Sequence, residues 1–393
     1  MNTENNHKFW SESLAGLKNN PVFAMSLGSK ELFHSNFLAF IFMHKSAGNL
    51  RKWLYEKATV KKPDKPIEFD KCFREKSNFD LLFKIKGEEK FILIENKFKS
   101  LPDSEQLKKY SEKLQEKEIE NKSGNKVKYK GIDSGFKKED KRHSKLYINT
   151  GNTCCFILSP KITALKQKVK KWKECFYDDL ISEIEKISFP KELQQIVDFY
   201  CAFTKSILRA MGEFIEKSFP ENIDKVIWLG KSNVYSDEII ELRIDDIFKK
   251  IWGQLLLEKL LDSDLKDKIS YSKVDYSHDS VCIDFRKNID DKITYGVQLQ
   301  ENYFNAYVEL KENITSEQEK KIDELLRNNV LCNNVIKELK NSQLCRHYKE
   351  KFRYHSIFLG EYFSIDDLKN RLKSVFDNFA EKDTRAKLKA ITV

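Results

Sequence analysis

The sequence predicts an α/β N-terminal half followed by an α+β C-terminal half. Three observations carry this. Two apolar runs, 79–86 (FDLLFKIK) and 90–98 (KFILIENKF), flank Gly87-Glu88 and read as a β-hairpin, with a polar helix after it. A further short apolar run, 153–158 (TCCFIL), reads as a strand ending at Ser159-Pro160. Beyond residue 280, the segments 280–287, 293–300 and 304–311 alternate apolar and polar residues as an antiparallel meander does.

The elements follow in order. Residues 30–45 (KELFHSNFLAFIFMHK) place Leu32, Phe33, Phe37, Phe40 and Ile41 near helical spacing and predict a buried amphipathic helix. Residues 46–66 contain KKPDKP and read as ending in a loop. After the hairpin, Pro102-Asp103 opens a polar helix, SEQLKKYSEKLQEKE. Residues 119–145 are polar, carry Gly124, Gly131 and Gly135, and read as a basic loop or insertion. The lysine-rich string TALKQKVKKWKE predicts a helix, and 191–217 a long one. In the C-terminal half, 236–262, 314–340 and 364–381 read as helical. Phe219-Pro220 marks a boundary, giving two domains, 1–210 and 211–393.

Composition narrows the class. Hydrophobic residues make up 40% of the chain and aromatic residues 12%, enough for sizeable cores, which excludes global disorder. No run of 18 apolar residues provides a membrane-spanning helix. The N-terminus, MNTENNHKFWSESLAGL, lacks the basic-then-apolar order of a signal peptide, so the expected location is the cytoplasm. Eight cysteines are scattered without CxxC or zinc-ligand spacing and read as buried free thiols. Neither G-x-x-x-x-G-K-S/T nor G-x-G-x-x-G occurs, which argues against an ATP-driven motor.

The net charge of +10 is uneven. Residues 1–200 carry +11, residues 201–393 carry −1, and residues 51–150 alone carry +9. A basic half beside a neutral half points to a polyanion at the N-terminal half, although a solvated lysine-rich surface gives the same count. The lysines of 161–173, Lys168, Lys170 and Lys171 among them, are phosphate-contact candidates on the same reasoning, as are Lys108 and Lys109 on the polar helix.

The chemistry concentrates in the hairpin. With Gly87-Glu88 as a two-residue turn, cross-strand partners sum to 175, so Asp80 faces Glu95 with Cβ atoms about 5 Å apart. Lys97 shares their face, two residues beyond Glu95. That face carries Asp80, Leu82, Lys84, Phe91, Leu93, Glu95 and Lys97. The opposite face is apolar from Phe79 to Phe98, broken only by Asn96. Facing carboxylates raise each other's pKa and destabilise a sheet. A hard divalent cation removes that cost, and Mg²⁺ commonly takes one or two carboxylates plus phosphate oxygens and waters. A salt-bridged pair with Lys97 reaching to the rim is the structural alternative.

Asp80, then Glu95-Asn96-Lys97 at the end of an apolar strand, then a helix with Gln106 and Tyr110, resembles the PD-(D/E)XK nuclease superfamily. The preceding helix, with Glu31 and Phe33-His34-Ser35-Asn36-Phe37-Leu38, is similar to a prokaryotic, defence-type branch of it. The resemblance covers roughly residues 30–205. It implies a restriction-endonuclease-like mixed sheet flanked by helices. It further implies that Asp80 and Glu95 ligate Mg²⁺ (Mn²⁺ as substitute), that Glu31 completes the metal site, that Lys97 assists the attacking water, and that Gln106 faces the same centre or the helix surface. Phe79 departs from the family's Pro before the Asp. His34 reads as a core histidine near Glu31, His44 as too distant to share a ligand with it, and His143 as solvent- or phosphate-facing.

The expected activity is metal-dependent phosphodiester hydrolysis, with DNA as substrate and prokaryotic restriction or anti-phage defence as setting. An RNase of the same fold and an inactive nucleic-acid-binding scaffold are the rivals. The intact Asp80, Glu95 and Lys97 argue against the scaffold. Cutting both strands with this fold usually takes two sites, which favours a homodimer.

Overall fold

The computed structural model describes residues 11–26, 30–59, 62–76, 79–98, 100–102, 104–114, 117–120, 126–129, 132–133, 147–148, 151–164, 168–218, 225–227, 237–277, 280–289, 292–300, 302–310, 315–327, 345–347, 352–359, 362–380 and the single positions 386 and 390. The chain forms two compact units, residues 1–212 and 213–393.

The N-terminal unit begins with four helices, α1 (Ser11–Lys18), α2 (Pro21–Ser26), α3 (Lys30–Met43) and α4 (Gly48–Thr59). Strands β1 (Phe69–Lys76), β2 (Phe79–Ile85) and β3 (Phe91–Asn96) follow, then helix α5 (Ser104–Lys113). Short strands β4 (Lys117–Glu120) and β5 (Lys126–Tyr129) pair antiparallel, as do β6 (Ile132–Asp133) and β7 (Tyr147–Ile148). Strands β8 (Thr153–Ser159) and β9 (Trp172–Phe176) and helices α6 (Tyr177–Ile184) and α7 (Lys191–Ser218) complete it.

The principal sheet runs β1-β2-β3-β8-β9. The first three strands are antiparallel, and β8 and β9 add in parallel to β3. A hairpin can join neighbours by a tight turn, whereas the parallel β3–β8 pair needs the crossover that contains α5. Both sheet faces are covered. On one, α5 lays Leu107, Tyr110 and Leu114 against Leu82, Phe91, Leu93, Ile157 and Trp172. On the other, α3 contacts β1, β2 and β3, and α4 contacts β8. Each fully buried Leu or Phe of these layers contributes about 1.5–3 kcal/mol. The expected alternation fails at Phe79, which packs edge-on against Tyr110 with ring centroids 5.0 Å apart and so joins the α5 layer.

The hairpin register is the expected one, since Leu81–Ile94, Leu82–Leu93, Phe83–Ile92 and Lys84–Phe91 all pair. The turn is longer than two residues. Ile85 N–H donates to Lys90 C=O, while Lys86 N–H turns outward to Glu68 C=O. Gly87 takes φ 77°, the left-handed region that glycine enters without steric cost. Widening the turn by one residue on each side leaves its centre, and hence the register, unchanged.

Residues 48–59 form α4, with Leu50, Leu54 and Ala58 buried on one face and Arg51 donating to the carbonyls of Ile67, Phe42 and His44, and the loop expected at the end of 46–66 follows over 62–68. Two other expectations change. Residues 168–174 of the lysine-rich string are not a helix. Val169 and Trp172 drop into the core, the Trp172 indole donates to Leu107 C=O, and Trp172 starts β9 beside β8. The 119–145 stretch contains the β4–β5 hairpin rather than only loop.

The C-terminal unit contains β10 (Lys225–Ile227), α8 (Asp237–Glu241), α9 (Asp245–Leu260), α10 (Ser263–Lys268), β11 (Tyr271–Ser277), β12 (Ser280–Asn288), β13 (Ile293–Gln300), β14 (Tyr303–Leu310), α11 (Ser316–Arg327), β15 (Cys345–His347), β16 (Phe352–Phe358), β17 (Tyr362–Ser364) and α12 (Ile365–Ala380). The expected meander, β12-β13-β14, is the centre of a six-stranded sheet ordered β11-β12-β13-β14-β16-β15. The helix expected over 236–262 breaks at Arg243, whose φ of 52° no α-helix accommodates. The helix expected over 314–340 is α11 as far as Arg327, and 328–344 lie outside the described residues, as do Phe219 and Pro220. Gly296 is required by packing. The Tyr307 ring crosses over it to donate its hydroxyl to the buried Asp284, and a Cβ there would meet that ring at 2.7 Å. Among the described residues no helix is long and apolar enough to cross a membrane.

Candidate active site

The site lies at the end of β2 and β3 remote from the hairpin turn. The ladder register puts Asp80 opposite Glu95, one step beyond the Leu81–Ile94 pair. The Asp80 carboxylate is fixed there, because Oδ2 accepts the backbone N–H of Asn96 at 2.6 Å. Lys97 follows β3 and keeps its alignment, since its N–H donates to Leu158 C=O of β8 at 2.7 Å. Its ammonium lies 3.0 Å from Glu95 Oε1, with the two side chains 10% and 3% exposed. A carboxylate this deeply buried demands such compensation.

Helix α5 supplies the remaining polar groups. Gln106 Nε2 approaches the same Glu95 oxygen at 3.3 Å and donates to the Tyr110 hydroxyl at 2.8 Å. Gln106 therefore faces the centre and not the helix surface. Its spacing of four residues from Tyr110 puts both on one helix face. The Tyr110 hydroxyl is raised above its ordinary pKa, first by burial and then by the charge of Glu95, with Asp80 adding and Lys97 opposing.

The other candidates distribute as follows. Glu31 belongs to α3, but its side chain lies outside the described residues. His34 is a core residue. Its ring packs tilted against Phe98 with centroids 3.8 Å apart, its Nδ1 shares a 2.9 Å hydrogen bond with the Tyr200 hydroxyl, and burial lowers its pKa to about 3. His44 caps a short helical turn by accepting Ser46 N–H. His143 lies outside the described residues. Lys108 and Lys109 are exposed on the outer face of α5, and Lys168, Lys170 and Lys171 are exposed in the segment before β9. The cysteines described are free thiols.

Two contributors escaped the sequence reading. Tyr110 stood in the motif without a role. Asn96 counted only as a break in an apolar face, yet it is 1% exposed and fully engaged. Its Nδ2 donates to Ser35 Oγ at 3.1 Å, and its Oδ1 accepts the Tyr177 hydroxyl at 2.7 Å. The available signal was chemical, because an amide in the middle of a buried strand requires partners.

The donor set suits a hard divalent cation. Two facing carboxylates offer only oxygen, and Mg²⁺ typically takes one or two such groups and completes its shell with water and phosphate. No group of three or more His, Cys, Asp or Glu residues gathers among the described residues, as a zinc site or an all-protein calcium cage would require.

No curated protein and no solved structure matches the chain. Residues 20–205, just under half of it, match the sequence model of the PD-(D/E)XK nuclease superfamily. The matched segment contains the mixed five-stranded sheet, the Asp80/Glu95/Lys97 cluster and the α5 residues that support it. On this match and this fold, residues 20–205 are similar to the PD-(D/E)XK nuclease superfamily, whose members cleave nucleic-acid phosphodiesters and generally use divalent metal ions.

Proposed function

We propose that the N-terminal unit is a Mg²⁺-dependent DNA endonuclease that serves prokaryotic restriction or anti-phage defence. The observation that carries the reading is the convergence of Asp80, Glu95 and Lys97 at one strand end, with Gln106 and Tyr110 turned toward them. A cation bound there supplies Lewis-acid stabilisation of the phosphate and a water acidified toward neutral pH. The chain's own residues do the rest. Asp80 and Glu95 hold the cation, with Glu31 of α3 as the third candidate ligand. Gln106 keeps the Glu95 carboxylate oriented. The Lys97 ammonium, held beside Glu95, offsets negative charge as it develops on the phosphoryl oxygens.

The basic surface supports a polyanionic substrate. The exposed Lys108, Lys109, Lys168, Lys170 and Lys171 are proposed to contact phosphates, which positions the backbone without reading sequence. The C-terminal unit is proposed to serve target recognition, regulation or self-association, and a homodimer would bring two sites to a duplex. Incubation of purified protein with closed circular DNA and with single-stranded RNA, with and without Mg²⁺, tests the reading. Mg²⁺-dependent nicking or linearisation of the DNA is expected. Cleavage of RNA alone would replace DNA as substrate, and binding without cleavage of either would reduce the chain to a scaffold. Resistance of cells to phage infection, lost on Glu95→Gln, is the expected sign of a defence role.

A further inference from the structure

The strand position between Glu95 and Lys97 points away from the site, and its contacts are as specific as those at the site. Asn96 uses three groups in three directions. Its backbone N–H holds Asp80 Oδ2 on the carboxylate face at 2.6 Å. Its side-chain amide, on the opposite face, bridges Ser35 Oγ of α3 and the Tyr177 hydroxyl at the start of α6. Deeper in the same core, the Tyr200 hydroxyl of α7 meets His34 Nδ1 of α3 at 2.9 Å. Ser35, Tyr177 and Tyr200 are each fully buried, and His34 and Asn96 are 1% exposed.

This arrangement has a mechanical consequence. Glu95 and Lys97 flank Asn96 in sequence, so the rotation of the Asn96 peptide about the strand axis sets where both side chains emerge. The backbone here is already held to β8 through the Lys97 N–H to Leu158 C=O bond. The amide bridge to two helices adds a side-chain hold on the same residue, and the same peptide's N–H fixes the third charged residue. An apolar side chain at this position would fill the volume and lose the tie to the two helices.

Resting on the metal-dependent nuclease reading above, we infer that Asn96 is a positioning residue. Its buried bridge to Ser35 and Tyr177 holds Asp80, Glu95 and Lys97 in the geometry that binds the divalent cation. Hydrogen-bonded partners behind metal ligands commonly carry about 10–100-fold of metal affinity.

The test uses the full chain and Mn²⁺ alone, followed by calorimetric titration without nucleic acid. Asn96→Ala is the direct variant but removes a buried amide and risks misfolding. Ser35→Ala and Tyr177→Phe each delete one hydroxyl and preserve shape. Both are expected to keep the wild-type circular dichroism spectrum and to bind Mn²⁺ about 10–100-fold more weakly. Phe203→Leu, which loosens the same α7 packing around His34 and Tyr200 without a hydrogen bond to the bridge, is expected to keep wild-type Mn²⁺ affinity. Wild-type affinity in both hydroxyl deletions would overturn the inference, and so would an equal loss in Phe203→Leu, which would make the effect general loosening. A wild-type protein that binds no Mn²⁺ would instead sink the metal reading of the site, and this inference with it.

Discussion

Lys97 Nζ stands 3.0 Å from Glu95 Oε1 in a pocket that leaves the two side chains 10% and 3% exposed. A pair this buried is held by local geometry rather than by solvent-averaged attraction, and removing one partner strands the other's charge. Lys97→Ala should therefore reduce single-turnover cleavage by about 10²–10³-fold. Nucleic-acid affinity should stay within several-fold, because one cation among many contributes little to binding. Lys97→Arg should not restore the rate, since a planar fork does not occupy the place of a compact ammonium. Full activity in Lys97→Ala, measured beside equilibrium binding, would remove Lys97 from the chemistry.

Asp80→Asn and Glu95→Gln keep shape and lose charge. Each should lower cleavage by at least about 10³-fold, equivalent to roughly 4 kcal/mol of barrier. Thermal stability should hold or rise in Asp80→Asn, which relieves repulsion between facing carboxylates, and fall in Glu95→Gln, which leaves the buried Lys97 ammonium without its carboxylate. Rate and melting temperature measured on the same preparations separate a metal-site role from a structural one.

His34 predicts an acid limb in the stability of the N-terminal unit. Burial lowers its pKa from 6.5 to about 3. Between those values the unfolded chain binds a proton that the folded chain does not, so stability falls as pH drops below 6.5. The slope is about 1.4 kcal/mol per pH unit for this one group. His34→Gln should flatten the dependence of melting temperature on pH between 6 and 5, above the range where carboxylates titrate. An unchanged slope would show that His34 is not the group responsible.

Gly296 and Tyr307 make a prediction for the C-terminal unit alone. A methyl group at 296 would drive into the Phe285 carbonyl oxygen and the Tyr307 ring. Gly296→Ala should cost about 1–3 kcal/mol or more, and Tyr307→Phe, which leaves Asp284 without its hydroxyl donor, about 1–3 kcal/mol. Denaturant unfolding of both variants measures these values.

If Lys168, Lys170 and Lys171 meet phosphates, replacing all three by Ala should lower the slope of log K against log salt by about 2.7 for duplex DNA. The cleavage rate at saturating substrate should not change. An unaltered salt slope would place the nucleic acid elsewhere.

The sequence by itself determined the local relationships. Apolar alternation on either side of Gly87 sets the Asp80–Glu95 register, because a strand slipped by one residue would turn every apolar side chain to the wrong face. The spacing of Gln106 and Tyr110 puts both on one helix face for a similarly local reason. Tertiary structure decided what depends on partners distant in the chain. Val169 and Trp172 were needed by the core under α5, and that need overrode the helical pattern of their lysine-rich neighbours. Gln106 turns inward because Glu95 and Tyr110 lie there to receive it. Asn96 looked like an interruption, and its partners come from Ser35, 61 positions away, and Tyr177, 81 positions away. A buried amide is legible in a sequence as a demand for hydrogen bonds, but only the packing of α3 and α6 behind β3 decides which residues answer it.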